Sequence, residues 1–163
     1  MTVEVVSLPL GAYQTNCYVV SIPGSDGAVV IDPGDDAPAV ERVLAERGLA
    51  LRAILVTHGH LDHIGAVRDL ARAAGCEVWI ARGDADDLRS FPPAPYQPDH
   101  EVGGGDTVDA AGISFRVLDV PGHTPGSVAY ATDGIAFVGD VLFAGSVGRT
   151  ADVDDLTARI ERL

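Results

Sequence analysis

The chain has 163 residues, of which 47% are hydrophobic, and its mean hydropathy is +0.19. This length suits one domain with a substantial core, and this composition excludes intrinsic disorder. No apolar run is long enough to span a membrane, and residues 1–10 lack the basic and apolar segments of a secretory signal. We therefore expect a single domain over residues 1–163 that works in the cytoplasm and has no membrane partner.

The charge of the chain is strongly acidic. Asp and Glu number 24, the 11 basic residues are all arginine, and the formal net charge is -13. Such a surface repels phosphate backbones, so we expect no nucleic-acid partner. Cys17 and Cys76 are expected to be reduced thiols, although the sequence also leaves a disulfide between them open.

Apolar periodicity in the first half of the chain alternates between strands and helices. Short β-branched runs predict strands, and apolar residues three and four apart predict helices. This alternation favours a layered α/β domain. In chain order the predicted elements are strands at 3–7, 16–22 and 28–32, a helix at 37–47, a strand at 53–56, a helix at 62–75 and a strand at 77–81.

The second half of the chain is richer in strands. Four prolines in residues 91–98 exclude a regular helix or a central strand, so this segment is predicted to be a loop. Its aromatic residues Phe91 and Tyr96 either line a substrate entrance or pack against the body of the domain. The other predicted elements are one helical turn at 84–88, a glycine turn at 103–105, strands at 113–120, 127–131 and 135–138, and a helix at 152–163.

The turn between the strand that ends at residue 56 and the following helix holds three of the five histidines. His58 and His60 lie two apart in extended chain, so their imidazoles project from the same side. Gly59 is expected to tighten the turn through its conformational freedom. Asp62 falls at an expected helix N-cap, and with His63 it points toward a neighbouring position. This loop therefore predicts two adjacent metal ions, for which imidazole and carboxylate favour zinc, iron or manganese.

Two further candidate ligands also follow strands. His123, Asp140 and His58 each come directly after a different predicted strand. Because ligands bind at the carboxyl ends of strands in open α/β sheets, we expect these three side chains to converge. His100 is expected to be a surface histidine.

The stretch T-H-G-H-L-D-H at 57–63 resembles the metal signature of the metallo-β-lactamase superfamily. His60 stands where the flavo-di-iron relatives carry Glu, which favours hydrolysis over oxygen reduction. Further segments are similar to the glyoxalase II-like (hydroxyacylglutathione hydrolase-like) branch, particularly its short bacterial form. These segments are residues 14–18, 31–34, 121–127, 139–140 and 145–150.

The resemblance implies an αββα sandwich of the metallo-β-lactamase type, of which this chain is expected to lack the last strand and helix. It also implies one or two zinc ions per chain, with iron or manganese possible. A family histidine that completes the second site has no counterpart here, so we expect water in its place. The implied ligands are His58, His60 and His123 for the first ion, Asp62 and His63 for the second, and Asp140 for both.

The activity implied is hydrolysis of a small thioester or related acyl compound by a metal-bound hydroxide. Asp62 is the implied catalytic residue, which orients or deprotonates the attacking water. The alternatives are an iron-dependent persulfide dioxygenase-like enzyme and a non-catalytic metal-binding domain. Two roles stay open: Asp32 either supports the metal loop from behind or only forms a turn, and Arg149 either meets a substrate carboxylate or pairs with acidic neighbours.

Overall fold

A computed structural model describes residues 2–150 of the chain. The predicted helix at 152–163 lies outside these residues. No helix within the described range has the length and apolar character needed to cross a bilayer.

Six strands form a mixed sheet whose spatial order follows the chain. The first three strands pair antiparallel, and the third to sixth pair parallel. The third is buried throughout, and so are the last four residues of the fourth, as expected for strands covered on both faces. These strands are β1 (Glu4–Leu10), β2 (Thr15–Ser21), β3 (Gly27–Ile31), β4 (Ala50–Val56), β5 (Glu77–Ala81) and β6 (His100–Val102).

The structure describes four α-helices within residues 2–150: α1 (Ala37–Glu46), α2 (Leu61–Ile64), α3 (Val67–Ala74) and α4 (Ala85–Ser90). The carboxylate of Asp36 accepts the backbone N–H of Ala39 and so caps the start of α1. Apolar faces of α1, α3 and α4 pack on the first sheet. The buried residues that these three helices contribute to this core are Val40, Leu44, Val67, Leu70, Ala71, Ala85 and Leu88.

Four more strands form an antiparallel second sheet, β7 (Thr107–Ala110), β8 (Ile113–Asp119), β9 (Val128–Thr132) and β10 (Ile135–Phe137). In β8 the buried residues Ile113, Phe115 and Val117 alternate with exposed ones, so one face turns inward. That face meets the first sheet in a second core around Phe115 and Tyr130. A short pair, β11 (Leu142–Phe143) and β12 (Ser146–Val147), follows. The helix, sheet and sheet layers of the predicted α/β sandwich are thus confirmed within residues 2–150.

The structure corrects the sequence at the helix predicted for 62–75. This segment forms two helices, α2 and α3, because the N–H of Ala66 donates to the carbonyl of Pro33 at 3.0 Å and the chain turns there. Asp62 is not the N-cap: the cap position of α2 is His60, and Asp62 lies within the first turn. The strands β6, β11 and β12 were not predicted, because each has only two or three residues and no apolar run.

Candidate metal centre

The six predicted ligand side chains lie in two adjacent groups. In each group, one ring nitrogen or carboxylate oxygen per residue lies within 4.8 Å of those of the other members. The ends of β4, β8 and β10 deliver these residues, so the expected convergence of His58, His123 and Asp140 is what the fold produces. The first group comprises His58, His60, His123 and Asp140, and the second comprises Asp62, His63 and Asp140.

His58 is almost fully buried, and its two ring nitrogens differ. The hydroxyl of Thr57 donates to Oδ2 of Asp32 at 2.7 Å, so its oxygen accepts the Nδ1–H of His58 at 3.0 Å. Burial lowers the pKa of His58 to about 4, which keeps the ring neutral at pH 7. Nε2 of His58 therefore carries a lone pair, and within residues 2–150 it is the only buried side-chain nitrogen or oxygen without a hydrogen-bond partner. An orphaned, unprotonated nitrogen of this kind fits a metal ligand.

The imidazoles of His60 and His123 complete the first group. Nδ1 of His60 lies 2.9 Å from Nε2 of His123. The carbonyl of Arg149 accepts the Nδ1–H of His123 at 2.9 Å, which leaves Nε2 of that ring facing the group. The rings of His58, His60 and His123 meet edge-on, with centroids 4.7, 4.8 and 4.9 Å apart. The three imidazoles thus offer nitrogens within 4.8 Å of one another, close enough to contact a common ion.

The second group is built around His63. Nε2 of His63 lies 3.1 Å from Oδ1 of Asp140 and 3.6 Å from Oδ2 of Asp62. The hydroxyl of Thr15 donates to the same Oδ2 of Asp62 at 2.6 Å. The other carboxylate oxygen of Asp140, Oδ2, lies 3.3 Å from Nε2 of His123. One oxygen of Asp140 thus faces each group, which is the geometry that a bridging ligand needs.

Charge interactions tie His63 to its carboxylates. Burial alone would lower the pKa of His63, but Asp32 and Asp140 outweigh burial and raise it to about 10. Burial would likewise raise the pKa of Asp140, whereas the hydrogen bond from His63 holds it below its usual range. These opposite shifts have one cause, the close approach of the His63 imidazole to the carboxylates of Asp32 and Asp140.

Asp32 has both of the roles that the sequence left open. It forms a turn, with a backbone φ of 52°, and its side chain is buried behind the metal loop. Oδ1 accepts the backbone N–H of Thr57 at 2.8 Å, and Oδ2 lies 2.9 Å from Nδ1 of His63. Because a carboxylate only accepts, the Nδ1–H of His63 donates to it and fixes the orientation of that ring.

Two glycines are needed for close approach. A Cβ at Gly59 would lie 2.4 Å from Oδ2 of Asp87, and φ at Gly59 is outside the left-handed region, so the observed requirement for glycine is the lack of space for a side chain. A Cβ at Gly148 would lie 1.5 Å from the carbonyl oxygen of Asp140. Both loops of the centre are therefore packed against neighbouring backbone or carboxylate atoms.

An open cleft of about 1040 Å³ lies over the first group. Tyr13 and Phe143, 76% and 45% exposed, line it with apolar surface. Arg149 and Thr150 also line this cleft, and the backbone carbonyl of Arg149 contacts His123 at its edge.

The remaining residues whose roles the sequence left open lie away from the cleft. Phe91 and Tyr96 pack against the helix-side core, so the alternative in which they line a substrate entrance is wrong. His100 is a surface residue, as predicted, and stacks on Trp79 with ring centroids 4.5 Å apart. Cys17 and Cys76 are both free thiols.

Sequence reasoning missed the hydrogen-bond partners of the ligands. Thr15 lies in a segment quoted for its family resemblance, but nothing in its immediate sequence indicates a bond to Asp62. Asp84 was predicted only as the start of a helical turn. It is instead a buried carboxylate that contacts both ligand loops, and only the register of β5 beside β4 brings it there.

Comparisons with known proteins agree on the family. The family model of the metallo-beta-lactamase superfamily matches residues 10–161. A hydroxyacylglutathione hydrolase from Methylobacillus flagellatus is 45% identical over 147 residues, which cover 87% of this chain and 53% of the relative. Hydroxyacylglutathione hydrolase GloC from Haemophilus influenzae is 34% identical over 92% of this chain and 76% of its own length. The chain thus spans about half of the first relative and three quarters of the second.

Solved structures show the same fold. The BLEG-1 B3 metallo-beta-lactamase superposes with a TM-score of 0.86 at 34% identity, over 97% of this chain and 84% of that one. TTHA1623 in a di-iron-bound form superposes with a TM-score of 0.75 at 34% identity, over 97% of this chain and 85% of that one. ETHE1 from Myxococcus xanthus superposes with a TM-score of 0.78 at 26% identity, over 98% of this chain and 69% of that one. The histidine and aspartate groups, the layered fold and the family match together establish that this chain belongs to the metallo-beta-lactamase superfamily.

Proposed function

We propose that this chain is a metal-dependent hydrolase of a small acyl thioester, as in the glyoxalase II-like branch. The observation that carries the proposal is the pair of ligand groups that share Asp140, with the unpartnered Nε2 of His58 buried in the first. Two similar proteins are named hydroxyacylglutathione hydrolase, which supports the thioester class.

The proposed ligands divide between two positions. Nε2 of His58, Nδ1 of His60 and Nε2 of His123 would hold the first ion, and Asp62 and His63 would hold the second, with Asp140 between them. A divalent ion in such a site lowers the pKa of water toward neutrality and polarises a carbonyl oxygen. Zinc is our first choice because three imidazoles and no thiolate match its open catalytic sites.

Asp62 is the proposed proton acceptor. The hydroxyl of Thr15 occupies Oδ2 of Asp62 and fixes the plane of the carboxylate. Oδ1 of Asp62 has no hydrogen bond within residues 2–150 and is therefore available to orient an attacking water and take its proton. His60 and Asp140 line the open cleft over the first group, and Asp140 also lines a neighbouring pocket with Asp62, so a carbonyl carbon placed in the cleft would lie next to ligand atoms.

A second candidate is an iron-dependent enzyme that oxidises a persulfide. Two observations favour keeping it: the similar structure TTHA1623 was solved in a di-iron-bound form, and ETHE1 is similar in fold. Imidazole and carboxylate ligands suit iron as well as zinc.

The deciding experiment combines metal analysis with two assays on the purified chain. Protein loaded with zinc, iron or manganese is given S-lactoylglutathione and simple alkyl thioesters, and oxygen uptake is followed with a persulfide. We expect metal-dependent thioester hydrolysis that falls at least 100-fold in His60→Ala. His100→Ala, a surface histidine, is the matched control and should keep full activity.

Three outcomes would contradict the proposal. Full hydrolysis by His60→Ala would remove the metal mechanism. Oxygen uptake with a persulfide, and no thioester hydrolysis, would favour the iron enzyme. Tight metal binding with neither activity would favour the non-catalytic domain.

A further inference from the structure

A buried carboxylate joins the two loops that carry the first group of ligands. Asp84, at the start of α4, is 3% exposed and lies outside both ligand groups. Its Oδ2 accepts the backbone N–H of Gly59 at 3.0 Å and the hydroxyl of Thr124 at 2.7 Å. One oxygen atom therefore bonds to both loops at once.

The positions of these two donors give the contact its significance. Gly59 lies between His58 and His60, and Thr124 directly follows His123. The only side-chain hydrogen bond that the described chain gives His60 is the 2.9 Å contact with His123. The separation of these imidazoles thus depends on where the two backbones are held, and Asp84 is the side chain that holds both.

Packing around Asp84 leaves it little freedom. A Cβ at Gly126 would lie 2.2 Å from Oδ1 of Asp84, and a Cβ at Gly83 would lie 2.7 Å from the Cα of Gly126. The hydroxyl of Thr124 is also 2.7 Å from that of Ser127, whose oxygen accepts the N–H of Thr124. Asp84 is therefore packed tightly against the loop that carries His123, so a displacement of Asp84 would also displace that loop.

We infer that Asp84 is a positioning residue that sets the spacing of the three imidazoles in the first metal site. The inference rests on the proposed metal site and deepens it. Metal centres need their ligands held within about 0.5 Å of the binding geometry, and partners behind the ligands typically change metal affinity by roughly 10- to 100-fold.

The test measures the zinc affinity of the first site by competition with a chromophoric chelator. Asp84→Ala removes the acceptor for both loops and should weaken zinc binding by roughly 10- to 100-fold. Asp84→Asn keeps an oxygen that can accept both bonds, and it should recover most of the affinity. Thr124→Val keeps the shape of the side chain but removes one of the two bonds to Asp84, together with the hydroxyl contact to Ser127. It should give a smaller loss of zinc affinity and provides a second route if Asp84→Ala does not fold.

The matched control is Asp87→Asn. Asp87 lies on the same helix and beside Gly59, but the structure gives it no hydrogen bond within residues 2–150. This variant removes a negative charge next to the same loop but no hydrogen bond between the two loops. Zinc affinity should therefore change less than about threefold.

Two readouts separate positioning from general stability. The visible spectrum of the cobalt-substituted protein should change in Asp84→Ala and stay unchanged in Asp87→Asn, because only the first alters ligand geometry. In addition, the losses of zinc-binding free energy in Asp84→Ala and Thr124→Val should be less than additive in the double variant. The reason is that both variants remove the same hydrogen bond between Thr124 and Asp84.

The failure of this inference differs from the failure of the proposed site. If the wild-type chain binds no zinc, the metal site itself is wrong. If the wild-type chain binds zinc and folded Asp84→Ala binds it within threefold as tightly, with an unchanged cobalt spectrum, Asp84 serves stability alone and the inference is overturned.

Discussion

Asp32 holds His63 from behind, with Oδ2 of the carboxylate 2.9 Å from Nδ1 of the imidazole. The same carboxylate accepts two hydrogen bonds from Thr57, so it is fixed before it orients the ring. As a result, Nε2 of His63 faces Asp140 and Asp62. The second metal position therefore depends on a residue that is not itself a ligand.

Replacement of Asp32 by Ala should weaken binding of the second metal ion by roughly 10- to 100-fold, because His63 loses the acceptor that orients it. A stepwise zinc titration with a competing chelator measures both sites. Asp26→Ala is the matched control, since Asp26 is an exposed acidic residue near Arg52. If folded Asp32→Ala binds the second zinc ion with unchanged affinity, the orientation of His63 does not depend on Asp32.

Thr15 gives a finer test of the proton acceptor. Thr15→Val keeps the β-branched shape that suits β2 but removes the hydroxyl that donates to Asp62 at 2.6 Å. We expect kcat for thioester hydrolysis to fall roughly tenfold with little change in KM, because the carboxylate loses its fixed plane. Thr107→Val, on an exposed position of β7, should leave kcat unchanged. If both variants have the same kcat, Thr15 has no part in catalysis.

Gly34 links the turn of Asp32 to the metal loop. A Cβ at this position would lie 1.5 Å from the carbonyl oxygen of Asp62, a backbone atom that can move only with its helix. Gly34→Ala should therefore lower the free energy of unfolding in urea by about 1–3 kcal/mol. Gly103→Ala is the control, because its Cβ would lie 3.2 Å from the flexible end of Arg82 and at an ordinary contact distance of 3.7 Å from Oδ1 of Asp119. Equal stability of the two variants would contradict this packing.

The contacts of the turn at residues 33–34 also show which features of the fold could not be predicted from the sequence. His58, His123 and Asp140 were predictable because each follows a strand, and strand ends are set by local apolar runs. The break between α2 and α3 was not, because it depends on Pro33 and Gly34, some 30 residues earlier in the chain.

Asp84 shows the same limit more sharply. In the sequence it is one of three aspartates within residues 84–87, with no local sign that distinguishes it from the other two. Its contacts with Gly59 and Thr124 arise only when β5 pairs with β4 and the second sheet packs beside them. Ligands that follow strand ends can thus be read from one chain, whereas the groups that hold them require tertiary structure.

Thiol reactivity gives a test of the fold that does not involve metal. Burial raises the pKa of the Cys76 thiol to about 11 and raises that of the fully buried Cys17 further. Because the thiolate is the reactive form, Cys76 should react slowly at pH 8, and its rate should rise about tenfold per pH unit toward pH 11. Cys17 should react only after unfolding. Two thiols that are labelled quickly in the native protein at pH 8 would contradict the full burial of Cys17 and the partial burial of Cys76.

We predict that His58, His60 and His123 bind one common ion. The most direct measurement is anomalous diffraction at the zinc absorption edge from crystals of the zinc-loaded protein. We predict a peak about 2.0–2.1 Å from Nε2 of His58, Nδ1 of His60 and Nε2 of His123. Zinc-loaded crystals with no peak within bonding distance of these three nitrogens would show that the three side chains do not bind a common ion.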